Sequence, residues 1–199
     1  IAEFSHVGAP ATWVLSNHDV IRHTTRLSYD KVPPQGDGIG PDYPQPDEAL
    51  GLKRGRAASA MMLGLPGGAY LYQGEELGLP EHTMLEGSVR QDPTYFRTNG
   101  ERVGRDGCRV PIPWESDQNA FGFSTTGKSW LSQPENFKNY ARATQDGVVG
   151  STLEMYKSLL QLRKHHALGH GSLEWRNELV PAGACAYQNG PVLVVVNFT

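Results

Sequence analysis

The fold is decided by Thr12-Trp-Val-Leu-Ser-Asn-His-Asp19, in which a short apolar run is followed directly by three polar residues. Residues 12–16 include β-branched and aromatic side chains and are long enough for one buried strand. A second run of this kind, Ala69-Tyr-Leu-Tyr72, leads into Gln73-Gly-Glu-Glu76. Both predicted strands therefore end in a cluster of polar side chains.

The residues between these two runs favour a helix over residues 47–62. Asp47 suits the N-cap, and Glu48 places an acidic side chain in the first turn. We expect an inner face of small and apolar side chains, although two glycines weaken the helix pattern; the face is Ala57, Ala58, Met61 and Met62, and the glycines are Gly51 and Gly55. A strand, a helix and a second short apolar strand predict a parallel βαβ unit. The carboxyl ends of such strands are where α/β barrels build their sites.

The rest of the chain alternates irregular stretches with one clear helix. Residues 29–46 and 78–150 are rich in Gly, Pro, Asn and Asp and predict long loops, which are uncommon unless they are functional or linkers. Ser151 and Glu154 predict a capping box at the start of the next helix. Its inner stripe is expected to carry Leu153, Tyr156 and Leu160, with Arg163 outside it. Asn189-Gly190 is typical of a hairpin turn.

Composition favours a soluble globular protein. Of 199 residues, 38% are hydrophobic and 20% are charged. The longest apolar run, Pro191–Val196, is far shorter than the roughly 20 residues that cross a bilayer, so no membrane segment is expected. A net charge of −3 gives no reason to expect a nucleic-acid partner, which needs a basic face. Cys108 and Cys185 lie far apart without metal-ligand spacing, which favours two free thiols in a cytoplasmic protein over a disulfide.

Both ends of the chain suggest that it is a piece of a longer protein. It opens on Ile1-Ala-Glu-Phe-Ser-His6, without an initiator Met, a basic segment or an apolar leader. At the other end, Pro191–Thr199 is a strand pattern that stops abruptly. We therefore expect a chain that begins inside a domain.

Taken singly, each polar cluster also has a purely structural explanation. Asn17-His18-Asp19 could be a turn that caps a strand. Arg105-Asp-Gly-Cys-Arg109 could be a charged loop, and Glu75-Glu76 an exposed acidic turn. A functional interpretation therefore depends on their occurring together and in this order.

Together these segments resemble the alpha-amylase superfamily of glycoside hydrolases, family 13, and most closely its alpha-glucosidase and oligo-1,6-glucosidase branch. The resemblance covers nearly the whole chain. It rests on five ordered segments: Trp13-Val-Leu-Ser-Asn-His-Asp19, Leu65-Pro-Gly-Gly-Ala-Tyr-Leu-Tyr-Gln-Gly-Glu-Glu-Leu-Gly78, Gly104-Arg-Asp-Gly-Cys-Arg-Val-Pro-Ile-Pro-Trp114, Met155-Tyr-Lys-Ser-Leu-Leu-Gln-Leu-Arg-Lys164 and Val192-Leu-Val-Val-Val-Asn-Phe198.

The resemblance implies the C-terminal portion of a (β/α)8 barrel followed by the start of an all-β sandwich. Residues 12–16 resemble strand seven and residues 69–73 strand eight. Residues 151–166 resemble the last barrel helix. The expected domains are therefore residues 1–168, the end of the catalytic barrel, and residues 169–199, the beginning of the sandwich.

The resemblance also implies which residues bind sugar. Asp19 matches the carboxylate that holds two hydroxyls of the cleaved glucose and stabilises the transition state, and His18 matches a neighbouring imidazole on that sugar. Arg105 resembles the arginine that contacts the bound glucose. Arg109 resembles the partner that holds this loop or reaches the next sugar. Arg22 is placed near the mouth of the pocket, or else is a surface arginine.

The two carboxylates that break the bond belong, in the family, to strands four and five, which the chain lacks. The expected activity is therefore that of a longer enzyme, a retaining, exo-acting alpha-glucosidase on short oligosaccharides, with this chain inactive alone. The alternatives are a transglycosylase or isomerase relative that makes sucrose or trehalose isomers, and a non-catalytic amylase-like partner subunit. No cofactor or metal is expected in this chain, calcium being confined to upstream loops. The expected partners are an alpha-glucoside and either the missing N-terminal part or a second copy.

Overall fold

The computed structural model describes residues 1–197, so Phe198 and Thr199, the end of the last predicted strand, lie outside the described residues. The strands are Thr12–Val14 (β1), Gly68–Tyr70 (β2), Glu174–Trp175 (β3), Ala184–Asn189 (β4) and Val192–Asn197 (β5). The helices are Ala2–His6 (α1), His23–Arg26 (α2), Glu48–Gly64 (α3), Pro93–Arg97 (α4), Arg142–Gln145 (α5) and Thr152–His165 (α6).

The predicted parallel βαβ unit is confirmed. β1 pairs in parallel with β2, with Thr12 opposite Gly68 and Val14 opposite Tyr70, and α3 connects the two strands. Each strand has three residues, fewer than predicted. The expectation of buried strands is wrong, since Val14 is 48% and Tyr70 64% exposed. The reason is that, within residues 1–197, these strands have only each other as partners.

Helix α3 begins as predicted and buries a partly different face. Asp47 Oδ1 accepts a hydrogen bond from the Leu50 amide at 2.9 Å, which confirms the N-cap. The two glycines pack against α2, because a Cβ at Gly51 would lie 2.0 Å from the Thr24 carbonyl oxygen and one at Gly55 2.8 Å from Thr24 Cγ2. Of the predicted face, Met62 is buried as expected, whereas Ala57, Ala58 and Met61 are only half-buried. The rest of the buried face consists of the two glycines, Ser59 and Leu63.

Helix α6 has the predicted N-cap, but its buried face differs in part from the predicted one. Ser151 Oγ accepts the Glu154 amide at 3.2 Å, whereas the Glu154 carboxylate accepts the Gly147 amide, so only half of the capping box forms. Leu153 and Tyr156 are buried, and Leu160 is exposed. The prediction that Arg163 points outward is wrong. Its Nη1 donates to the carbonyls of residues 63 and 65 at 2.7 and 2.6 Å and so ties α6 to the end of α3.

The segment 78–150 is long and irregular, as predicted, but it is packed. It contains α4, α5 and several turns of 3-10 helix. Six apolar side chains of this segment and Leu77, just before it, form a core cluster: Leu77, Leu79, Leu85, Val110, Ile112, Leu131 and Phe137. Burial of this apolar surface fixes loops that carry site residues.

The C-terminal strands form an antiparallel sheet in the order β3-β4-β5. The predicted hairpin is confirmed, but its turn is shifted by one residue: Asn189 ends β4 and pairs with Val192, so the two turn residues are Gly190 and Pro191. The sheet docks on the end of α3, where the Asn189 side chain donates to the carbonyls of Gly64 at 2.8 Å and Leu168 at 3.0 Å. Within residues 169–197 the described strands form this one sheet, and both the start of a sandwich and the boundary after residue 168 stay predictions.

Candidate active site

The candidate site lies beyond the carboxyl end of β1. The Asp19 amide donates to Asn17 Oδ1 at 2.8 Å, a local turn that aims the following side chain. The predicted capping turn therefore exists, and it carries a carboxylate outward. Asp19 is 42% exposed, which leaves part of that carboxylate open to a ligand.

Three predicted side chains converge on Asp19. Its Oδ1 accepts Arg105 Nη1 at 2.6 Å and Arg109 Nη2 at 3.3 Å. On its other oxygen, Oδ2, the His18 Nε2 lies at 3.3 Å. The structure thus brings together four of the five predicted site residues.

Arg109 also anchors the backbone of the turn, because its Nε donates to the His18 carbonyl at 2.9 Å. One guanidinium therefore bonds both the main chain and the carboxylate of the β1 turn. This geometry fits the first of its two expected roles, holding the loop.

Arg105 is fixed by a residue that sequence reasoning missed, Asp92. Arg105 donates from Nε to Asp92 Oδ2 at 2.6 Å, from Nη2 to Oδ1 at 3.3 Å, and from its backbone amide to Oδ2 at 2.9 Å. Asp92 is fully buried. Burial acts to raise the pKa of Asp92, but these bonds and the Thr94 amide outweigh it and hold the pKa well below its usual range. The bond to Asp92, followed by that to Asp19, raises the pKa of Arg105, so Arg105 stays a cation.

Asp92 is itself held from two sides. It caps α4, because its Oδ1 accepts the Thr94 amide at 2.9 Å. Behind it, buried Asp106 Oδ2 accepts the amides of Gln91 and Asp92 at 2.7 and 2.8 Å. A signal did exist in the sequence, since Asp92-Pro93 is a typical N-cap followed by proline at the first helical position.

Arg22 does not lie at a pocket mouth, and it is not a surface arginine. It is 1% exposed and stacks over the Tyr72 ring. Its guanidinium donates to the carbonyls of Gln73 at 2.7 Å and Cys108 at 2.9 Å. The prediction that Arg22 binds substrate is therefore wrong, because both of these bonds hold the loops together beneath the site.

Glu75 is not part of an exposed acidic turn either. It is 2% exposed, and its Oε1 lies 4.0 Å from His23 Nδ1. Neither carboxylate oxygen has a hydrogen-bond partner of normal geometry within residues 1–197, although the Tyr72 backbone and then Ser16 act to lower the pKa of Glu75. Burial dominates and raises the pKa of Glu75 to about 7. Glu76 holds the loop, since its Oε2 accepts the Gly74 amide at 2.9 Å.

His23 connects this buried carboxyl to two helices. Its Nε2 lies 3.2 Å from Ser59 Oγ, which in turn lies 2.6 Å from the Tyr156 hydroxyl. Its Nδ1 lies 3.1 Å from Ser16 Oγ. Burial lowers the pKa of His23 to about 4, so the ring is neutral at pH 7. The end of β1 is thereby joined to α3 and α6 by neutral hydrogen bonds.

A cleft of about 460 Å³ opens beside the Asp19 carboxylate. It is lined mainly by polar groups: Asp19, Gln35, Gly36, Thr94, Arg97 and Arg105. The arrangement of a partly open carboxylate, an imidazole and a fixed guanidinium suits a ligand rich in hydroxyl groups.

Metal-ligand clusters are absent from the described part of the chain. No group of three or more His, Cys, Asp or Glu side chains there could hold a metal ion. Within the same residues, no helix combines the length and apolar character needed to cross a bilayer. Both cysteines are free thiols, with Cys108 buried.

Known proteins match the chain in sequence. The family described as "Alpha amylase, catalytic domain" matches residues 3–171. The chain is 34% identical over 174 residues to a probable alpha-glucosidase of Rhizobium meliloti (strain 1021), which covers 85% of this chain and 28% of that protein. It is 32% identical over 162 residues to an oligo-1,6-glucosidase of Bacillus cereus, which covers 70% of this chain and 28% of that protein.

A solved structure matches the fold. The crystal structure of an alpha-glucosyl transfer enzyme, XgtA, aligns with a TM-score of 0.73 and 28% identity, covering 96% of this chain and 32% of that one. The chain thus spans about a third or less of the length of these three proteins.

Proposed function

The chain belongs to the alpha-amylase family, and from this premise we propose that it is the C-terminal part of a retaining, exo-acting alpha-glucosidase. On this proposal residues 1–168 complete the barrel and residues 169–199 begin the sandwich. Its substrate is an alpha-linked glucose at the end of a short oligosaccharide. Relatives described as a probable alpha-glucosidase and an oligo-1,6-glucosidase support this substrate class.

One observation carries the proposal. The Asp19 carboxylate is aimed by Arg105 and Arg109, is left partly exposed, and borders a polar cleft. A carboxylate so placed accepts hydrogen bonds from two sugar hydroxyls. Those bonds strengthen as the ring flattens toward an oxocarbenium ion, so the transition state gains more than the ground state. The nucleophile and the acid/base would come from residues outside this chain.

The test is an Asp19→Asn substitution in the longer protein, assayed with a nitrophenyl alpha-glucoside. Losing charge-assisted hydrogen bonds worth about 1.5–3 kcal/mol each should lower kcat/KM by about 100-fold or more. Asp117→Asn, an exposed carboxylate outside the cleft, is the matched control and should match the wild type. The 199-residue chain alone should show no hydrolysis. Full activity of the Asp19→Asn protein, or activity of the chain alone, would contradict these roles.

One observation favours a second candidate, a glucosyl-transferring enzyme. XgtA is described as an alpha-glucosyl transfer enzyme, and its similarity spans nearly the whole chain. The same sugar-holding residues would serve either outcome, because transfer and hydrolysis differ in the acceptor. Product analysis separates them, since transfer yields new disaccharides or isomers and hydrolysis yields glucose. A non-catalytic partner subunit would yield neither.

A further inference from the structure

Two polar side chains of the cleft have no part in the chemistry described above. Gln35 comes from the loop of residues 29–46, and Arg97 is the last residue of α4. Both are exposed, and both line the same cleft as Asp19 and Arg105. Within residues 1–197 neither side chain forms a hydrogen bond or an ion pair. They are therefore the cleft groups that a ligand can engage without displacing another partner.

Arg97 is held at a defined place relative to the site. The carboxylate of Asp92 caps α4 through the Thr94 amide and also receives the guanidinium fork of Arg105. Since one buried carboxylate sets both the start of α4 and the direction of Arg105, the fold sets the backbone position of Arg97 relative to the Arg105 guanidinium. Arg97 is the fifth and last residue of the helix that Asp92 caps, so its backbone has little conformational freedom relative to the cap.

The backbone near Gln35 is positioned by contacts of its own loop, residues 29–46. Two residues later, Asp37 forms an ion pair with Arg102, and its carbonyl accepts the Gly104 amide at 3.0 Å. Gly36 between them adopts a φ of +87°, a conformation that favours glycine. The loop is thus tied to the residues just before Arg105, and its tip is brought to the cleft.

The chemistry of this pair suits a sugar. A guanidinium can fork onto two neighbouring hydroxyls, and an amide both donates and accepts. The volume of about 460 Å³ falls in the usual range of roughly 300–1,000 Å³ for small-molecule sites. Resting on the proposed function, we propose that Arg97 and Gln35 bind the second sugar unit, beyond the glucose held at Asp19, and so determine which leaving groups and acceptors are used.

The experiment compares two substrates in the longer enzyme. One is maltose or isomaltose, whichever the wild type cleaves faster, and the other is alpha-glucosyl fluoride, which has no second sugar. In Arg97→Ala the ratio of the two kcat/KM values, disaccharide over fluoride, should fall by about 10-fold or more, because a charged donor is lost. Gln35→Ala should lower it by about threefold, since its hydrogen bonds are neutral. Arg142→Ala removes an exposed arginine elsewhere and should leave the ratio unchanged.

A ratio within twofold of the wild type in both variants, with an active wild type, would overturn the inference and leave the proposed function standing. If a variant lowered kcat/KM equally on the two substrates, the ratio would not change and the inference would be overturned as well. A wild type that cleaves neither substrate would overturn the proposed function together with this inference. If Arg97→Ala fails to fold, Arg97→Lys keeps the charge but not the fork, and an intermediate fall in the ratio is then expected.

Discussion

At the scale of single residues, the candidate site was predictable where its members lie in segments that resemble a known family, and hidden where they lie outside those segments. His18, Asp19, Arg105 and Arg109 belong to ordered segments that resemble a known family, and they do converge. Asp92 belongs to none of these segments, and its partner is 13 residues away. Only the folded segment 78–150 shows that its carboxylate meets a guanidinium.

The error over Arg22 has a related physical cause. An arginine three residues beyond a site carboxylate has no sequence mark that tells a ligand contact from a structural one. Its guanidinium bonds carbonyls 51 and 86 residues away along the chain. An arginine side chain is buried only where several of its N–H donors find acceptors. Here the acceptors lie on loops whose conformation could not be predicted from the sequence.

Glu75 gives a prediction about pH. Burial raises its pKa to about 7 from an ordinary value near 4.5, so the folded state binds the proton more tightly than the unfolded state. Its contribution to stability is fully present below about pH 4.5 and is lost as the pH rises through about 7. Glu75→Gln has no proton to lose. Its free energy of unfolding, measured in urea, should therefore rise relative to the wild type by about 3 kcal/mol between pH 4 and pH 8.

The matched control for this comparison is Glu178→Gln, which changes an exposed carboxylate. Its difference from the wild type should be small at both pH values. The interpretation of Glu75 fails if the Glu75→Gln difference is the same at pH 4 and pH 8, because the carboxyl would then ionise alike in the folded and unfolded states.

At the scale of elements, helix starts were predicted well and buried faces poorly. A cap depends on neighbours three residues apart, as at Asp47 and Ser151, so local sequence is sufficient. Which face of a helix is buried depends on the elements that pack against it. Helix α2 packs on α3 at Gly51 and Gly55, which have no side chain to prevent the close approach. No periodicity in the sequence predicts this contact.

Gly51 supplies the prediction at this scale. At a solvent-exposed helix position, Gly51→Ala would stabilise the protein by about 1 kcal/mol, because alanine has the higher helix propensity. Here the new Cβ would lie 2.0 Å from the backbone oxygen of Thr24, which α2 cannot move freely. The substitution should therefore destabilise the protein by about 1–3 kcal/mol in chemical unfolding. Lys53→Ala, at an exposed position of the same helix, should change stability by less than about 0.5 kcal/mol. A gain in stability at Gly51 would show that α2 does not pack on α3.

At the scale of the whole molecule, the family and the βαβ unit were predictable, and the surroundings of the strands were not. The structural match to XgtA supports an amylase-family barrel region. Strand burial, however, depends on neighbouring strands. With only one partner each within residues 1–197, β1 exposes Val14 and β2 exposes Tyr70, and Leu71 directly after β2 is exposed as well.

This exposure predicts how the isolated chain behaves. Unpaired strand edges beside exposed apolar side chains offer templates for pairing with another chain. We expect the 199-residue protein to self-associate or to remain bound to a partner in size-exclusion chromatography with light scattering. A Val14→Lys substitution places a charge on this surface and should reduce association, while Lys138→Ala, remote and exposed, should not. A monodisperse monomer at all concentrations tested would contradict the prediction.

The Asn189 side chain has a consequence for modularity. This fully buried amide, at the end of β4, reaches across the predicted domain boundary to the carbonyls of Gly64 and Leu168. A gene recombined after residue 168 with the sheet of a relative would inherit those two carbonyls without their donor unless the incoming strand carried an equivalent amide. Crossovers placed there would therefore need an equivalent amide in the incoming sheet, and also a donor for the Met61 carbonyl, which here accepts the Tyr187 hydroxyl. We therefore expect the sheet and the residues on which it docks to be exchanged successfully only together.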